Sequence, residues 1–135
     1  MSNKLVLSSL GHTWFFDIDG TLVKHNGYKI DGKDTLLPGV KDFFKNISRN
    51  DRVILVTSRT DDVKQMTIDF LRENEIRFDE IIFNLPYGER VLINDSKPSG
   101  LEMSKSINLS RDCFDLIYKI DKDLWLWTRK KHTWI

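Results

Sequence analysis

A chain of 135 residues with 40 % hydrophobic side chains is enough for one domain around a single core, and too short for a large second lobe. Lys plus Arg number 21 against 20 for Asp plus Glu, so no overall basic field points to nucleic acid. One Cys and three scattered His, without ligand spacing, exclude a Cys/His metal centre.

The first element with chemical content is an apolar strand that ends in Phe15-Phe16-Asp17-Ile18-Asp19-Gly20-Thr21. Residues i and i+2 of an extended or turning backbone can face the same way, so the carboxylates of Asp17 and Asp19 can converge on one point. A divalent ion such as Mg²⁺, with hard oxygen ligands and room for substrate phosphate, suits that pair, and Gly20 lets the backbone approach a ligand. An acidic turn that merely ends a strand uses the same residue types. A calcium loop does not fit: with Asp17 at position 1, Leu22 stands where Gly is required and Tyr28 where the bidentate Glu belongs.

Residues 23–37 form a short flap whose turn signals, Asn26-Gly27 and Asp31-Gly32, predict a hairpin beside this site. Lys24, His25 and Tyr28 in it read as surface or structural residues. Residues 38–47 predict a helix with Pro38 in its first turn and Val40, Phe43, Phe44 and Ile47 on one face. Val53-Ile54-Leu55-Val56 is a buried strand that delivers Thr57, Ser58 and Arg59, two hydroxyls and a guanidinium suited to phosphate oxygens. A helix over 60–74 follows, with Thr60 as cap, Asp61 and Asp62 in its first turn, and Val63, Met66, Phe70 and Leu71 facing the core.

Two short strands are predicted around 80–83 and 90–93, the second delivering Asn94-Asp95-Ser96-Lys97. Residues 101–109 fit a strand or a short helix, and 113–120 alternate like a strand at Phe114, Leu116, Tyr118 and Ile120. Strands alternating with helices predict an α/β three-layer sandwich around a mainly parallel, Rossmann-like sheet, in which ligands meet the carboxyl ends of the strands. Asp17, Thr57 and Asp95 would meet there.

These three strand-end motifs, spanning 13–100, resemble those of the haloacid dehalogenase superfamily of aspartate-nucleophile phosphatases, in its small capless form. The resemblance implies that Asp17 is the nucleophile and forms an aspartyl-phosphate, and that Asp19 is the general acid and base. It implies that Thr57 holds a phosphoryl oxygen, assisted by Ser58, Arg59 and Gly20, and that Mg²⁺ is bound by Asp17, the backbone carbonyl of Asp19, and Asp95. The Lys that many members carry before the last acidic motif is missing, because Leu85 stands in its place; Lys97 and Arg59 are the expected substitutes.

The implied activity is hydrolysis of a phosphomonoester, with a sugar phosphate or related metabolite as substrate and a weak analogy to surface-polysaccharide pathways. A nucleic-acid end phosphatase and a non-catalytic phosphate-binding or assembly module are the alternatives. An open capless site acting on a small substrate would point to a homo-oligomer. The tail combines Trp125 and Trp127 with Arg129-Lys130-Lys131, read as packing aromatics beside a solvated basic edge. No run approaches the ~20 apolar residues of a membrane span. Ser8 and Ser9 interrupt the first apolar stretch well short of a secretory core, and the lone Cys113 fits reducing conditions, so a cytoplasmic protein is expected.

Overall fold

Among residues 3–124, which the computed structural model describes, strand β1 (Asn3–Leu7) precedes β2 (Thr13–Asp17), the apolar run that ends on Asp17. A single helical turn α1 (Gly27–Ile30), helix α2 (Val40–Lys45) and strand β3 (Arg52–Val56) follow. A 3-10 turn (Asp61–Val63) leads into α3 (Lys64–Glu73), and the order closes with β4 (Glu80–Ile82) and β5 (Leu116–Ile120). The chain is mixed α/β and every strand pair is parallel, as the Rossmann-like expectation requires. The strands form two sheets rather than one: β2-β3-β4 and β1-β5.

Two compact units result. One draws on residues 11–87 and 109–115, the other on 3–10, 88–108 and 116–124. In the latter, β1 and β5 pair from Asn3↔Leu116 to Leu7↔Ile120, so the alternation in 113–120 becomes a strand only in its second half. The expected strand at 90–93 does not form. None of the pairings includes it, and Val91, Leu92 and Ile93 are 78 %, 55 % and 83 % exposed. A run of β-branched and aliphatic residues has strand propensity, but it becomes a strand only against a ladder partner. Residues 101–109 are likewise neither strand nor helix, and the tail aromatics and basic run lie outside the described residues.

The larger unit is built around β2, whose period-two alternation buries Trp14 and Phe16 and exposes Thr13 and Phe15. Trp14 stacks on Phe16 with centroids 5.7 Å apart, Phe16 meets Phe44 of α2 at 4.8 Å, and Phe114 meets Phe43 edge-on at 5.2 Å. Val53 and Leu55 of β3 are fully buried behind them. Removing each such side chain from water stabilises the fold by about 1.5–3 kcal/mol. Helix α2 begins later than the Pro38 signal suggests, because Gly39 adopts a left-handed conformation (φ 90°) at its N-cap, but it buries the expected Val40, Phe43 and Phe44. Helix α3 is rotated from its expected face: Thr67 and Leu71 are buried and Met66 is exposed. The stripe at i, i+4, i+7 and i+8 from Val63 passes through Thr67, a polar residue that hydrophobic patterning discounts.

Asp51 anchors this unit from the turn before β3. Its Oδ1 accepts the His12 backbone N–H at 2.9 Å, and its Oδ2 accepts the Trp14 indole at 2.9 Å and meets His12 Nδ1 at 3.1 Å. Burial pushes this carboxyl up, but the bonds from Trp14 and His12 outweigh it and hold it below the usual carboxylate range. A group depressed in the folded state contributes stability above its unfolded pKa of about 3.9, and that stability is lost as pH falls through the lower folded value. Asp51→Asn is therefore expected to cost about 1–3 kcal/mol at pH 7, with the gap to wild type narrowing below about pH 4. Urea denaturation at both pH values checks this; a gap independent of pH would assign the effect to shape rather than charge.

Candidate active site

Strand β2 ends on Asp17 in register with Val56, which places Thr57 one residue beyond that pair at the same edge of the sheet. Past Asp17 the chain folds into a tight knot: the N–H groups of Thr21, Leu22 and Val23 all point to the carbonyl of Ile18, at 3.2, 2.9 and 3.2 Å. Gly20 sits in the left-handed region (φ 80°) and donates to the Val23 carbonyl at 2.8 Å, a conformation that a side chain would strain. Leu22 and Val23 are fully buried, so the knot is pinned by the core beneath it. Asp17 is half-buried, and its Oδ2 accepts the Thr21 hydroxyl at 3.2 Å.

Thr57 is buried, and its Oγ1 accepts the Arg59 backbone N–H at 3.0 Å, which leaves the hydroxyl hydrogen for donation. The loop after β4 is laced along this strand end. Asn84 donates from its backbone to the Arg59 carbonyl at 2.8 Å, Leu85 to the Thr57 carbonyl at 3.1 Å, and the Ser58 hydroxyl to the Pro86 carbonyl at 3.2 Å. Leu85 is thus strapped beside Thr57 with an aliphatic side chain where a cation was expected.

Arg59, expected among the phosphate donors, is turned inward. Its Nε and Nη2 donate to Asp19 at 2.9 and 2.8 Å, its Nη2 and Nη1 to Asp34 at 2.8 and 3.0 Å, and its Nη1 also to Thr67 Oγ1 at 2.9 Å. All five of its N–H groups are engaged within the protein. The Tyr28 ring covers one face, with its centroid 4.3 Å from the guanidinium carbon. Burial pulls the Arg59 pKa down, but its bonds to Asp19 and Asp34 more than reverse this and hold it above the ordinary guanidinium range.

Asp34 is the residue that sequence reasoning missed. An Asp two positions after Gly32 in a polar flap reads as a surface turn residue, and its partner lies 25 positions away. The flap is a hairpin in its two arms, which meet through Val23↔Leu36, Lys24 N–H to the Thr35 carbonyl (2.9 Å) and Leu37 N–H to the Leu22 carbonyl (2.9 Å). Between the arms stands α1 rather than a β-turn, and it carries Tyr28 to Arg59.

A further segment joins the same unit. Asp112 donates its backbone N–H to the Gly20 carbonyl at 2.8 Å and accepts the His25 N–H on Oδ1 at 2.7 Å. A Cβ built on Gly20 would lie 3.4 Å from Cγ of Arg111, so this arginine runs alongside the turn that carries Asp17 and Asp19. Asp95 and Lys97 belong to the other unit, in a stretch without helix or strand. Asp17 and Asp19 offer the hard oxygen donors of a Mg²⁺ site, but among the described residues no group of three or more His, Cys, Asp or Glu is gathered to hold a metal. No helix among them is long and apolar enough to cross a membrane.

No protein-family model matches the chain, and no curated protein matches it. Among solved structures, a chain of the Pnkp1/Rnl/Hen1 complex aligns with 26 % identity and a TM-score of 0.48, over 62 % of this chain and 31 % of that one. This chain therefore spans less than a third of the length of the solved chain it matches.

Proposed function

We propose that the protein is a phosphomonoester hydrolase that works through an aspartyl-phosphate on Asp17. The observation that carries this reading is the pairing of Asp17 with the Thr57 strand end, next to a second carboxylate, Asp19, whose orientation is fixed by Arg59. An Asp17 oxygen attacks phosphorus, the P–O bond to the leaving group breaks, and Asp19 gives that oxygen a proton. Asp19 then takes a proton from water, whose oxygen attacks the phosphorus of the aspartyl-phosphate and releases inorganic phosphate with Asp17 restored. The Thr57 hydroxyl is proposed to donate to a phosphoryl oxygen. Mg²⁺ held by Asp17 and the Asp19 carbonyl would offset the charge of the transferring group.

Arg111, and not the saturated Arg59, is proposed to supply the cation that Leu85 lacks. A sugar phosphate or related metabolite is proposed as substrate, since a formal net charge of +1 gives nucleic acid no basic field to bind. The test is phosphate release from sugar phosphates, nucleotides and 3′-phosphorylated oligonucleotides with Mg²⁺ or EDTA. Release that needs the metal and is lost in Asp17→Asn supports the reading; silence across all esters overturns it.

A further inference from the structure

The network around Arg59 is closed on every side but one. The side chains of Arg59 and Asp34 are each 2 % exposed, whereas that of Asp19 is 22 % exposed, so the cluster opens to solvent at Asp19. Two carboxylates grip adjacent edges of one planar guanidinium, each through two bonds, and a fork-to-fork pair fixes the plane as well as the distance of its carboxylate. Thr67 holds the remaining Nη1 hydrogen and in turn donates to the Val63 carbonyl at 2.7 Å, which ties the guanidinium to α3. A buried ion cluster of this kind is weak evidence for stability, because desolvation opposes the attraction. Holding one exposed carboxylate in a single orientation is a use that this geometry does serve.

We propose that Asp34 is a positioning residue: through Arg59 it fixes the orientation in which Asp19 meets the leaving-group oxygen. This rests on the phosphatase reading above, in which Asp19 is the general acid. The flap thereby becomes part of the catalytic apparatus, since Asp34 sits one residue before Thr35, whose carbonyl receives Lys24 N–H at 2.9 Å.

The experiment compares kcat/KM for two esters, an alkyl phosphate whose leaving group needs a proton and a dinitrophenyl phosphate whose leaving group does not. This ratio reports steps up to phosphorylation of Asp17, so water activation does not enter it. Asp34→Asn keeps the size of the side chain but removes the charge that grips Arg59. It is expected to lower kcat/KM on the alkyl ester by about tenfold or more, because general acid catalysis is worth on the order of 10²–10⁴, while the dinitrophenyl ester falls by less than about threefold, since it bypasses that proton. Thr67→Val, which removes one Arg59 partner without changing charge, should show the same discrimination on a smaller scale and serves if Asp34→Asn does not fold. Equal losses on the two esters in a folded variant, or no loss on either, overturn the proposal. Wild-type turnover that Asp17→Asn shares overturns the phosphatase reading instead, and the positioning role falls with it.

Discussion

Asp17→Asn is expected to lower phosphate release by on the order of 10⁶-fold, the scale on which removing a catalytic nucleophile acts. An amide has no anionic oxygen to attack phosphorus, and the covalent route that splits hydrolysis into two easier steps is closed. The fold should survive. Asp17 is only half-buried, its oxygen receives the Thr21 hydroxyl at 3.2 Å, and an Asn carbonyl can accept that same bond. The stability change is expected at about 1 kcal/mol, small beside the loss of activity, which separates lost chemistry from lost structure. Parallel phosphate-release and urea-denaturation curves decide it: turnover preserved in the variant removes Asp17 from the role of nucleophile, and a large loss of stability would make the activity result uninformative about chemistry.

What could be read along the chain is what local pattern decides. The runs ending in Asp17 and Val56 are strands because alternating or continuous apolar residues bounded by polar turns have few other options, and their parallel pairing carries Asp17 and Thr57 to one edge. The aromatic face of α2 is legible for the same reason. What escapes is decided between distant residues. Arg59 is a sound phosphate donor by chemistry alone, and only the fold reveals that Asp19, Asp34 and Thr67 take all its N–H groups. Thr67 looks like a polar interruption of the α3 stripe until its partner is known. The run at 90–93 shows the converse, a strong strand signal without a ladder partner in either sheet. Helical and strand periodicity report burial of a face; they carry no information about which buried polar groups find each other.

Arg111→Ala is expected to raise KM for the phosphate ester by about 10–100-fold, while Lys97→Ala changes it by less. A charge-assisted hydrogen bond to an anion is worth about 1.5–3 kcal/mol, and each 1.4 kcal/mol is about tenfold in affinity. The sequence favours Lys97, two positions beyond Asp95; within the unit that contains Asp17, Arg111 is the arginine beside the nucleophile turn. Arg111 is held against the nucleophile turn by its neighbour: Asp112 adopts a left-handed conformation (φ 60°), bonds the Gly20 carbonyl and receives the His25 N–H. Arg111, unlike Arg59, is an exposed residue. If this is the cation that Leu85 fails to provide, Arg111→Ala acts mainly on KM and Arg111→Lys restores part of the affinity, since an ammonium keeps the charge but not the bidentate fork. A larger effect at Lys97 would assign the cation to Lys97, and no effect at either position would leave phosphate binding to the Thr57 hydroxyl.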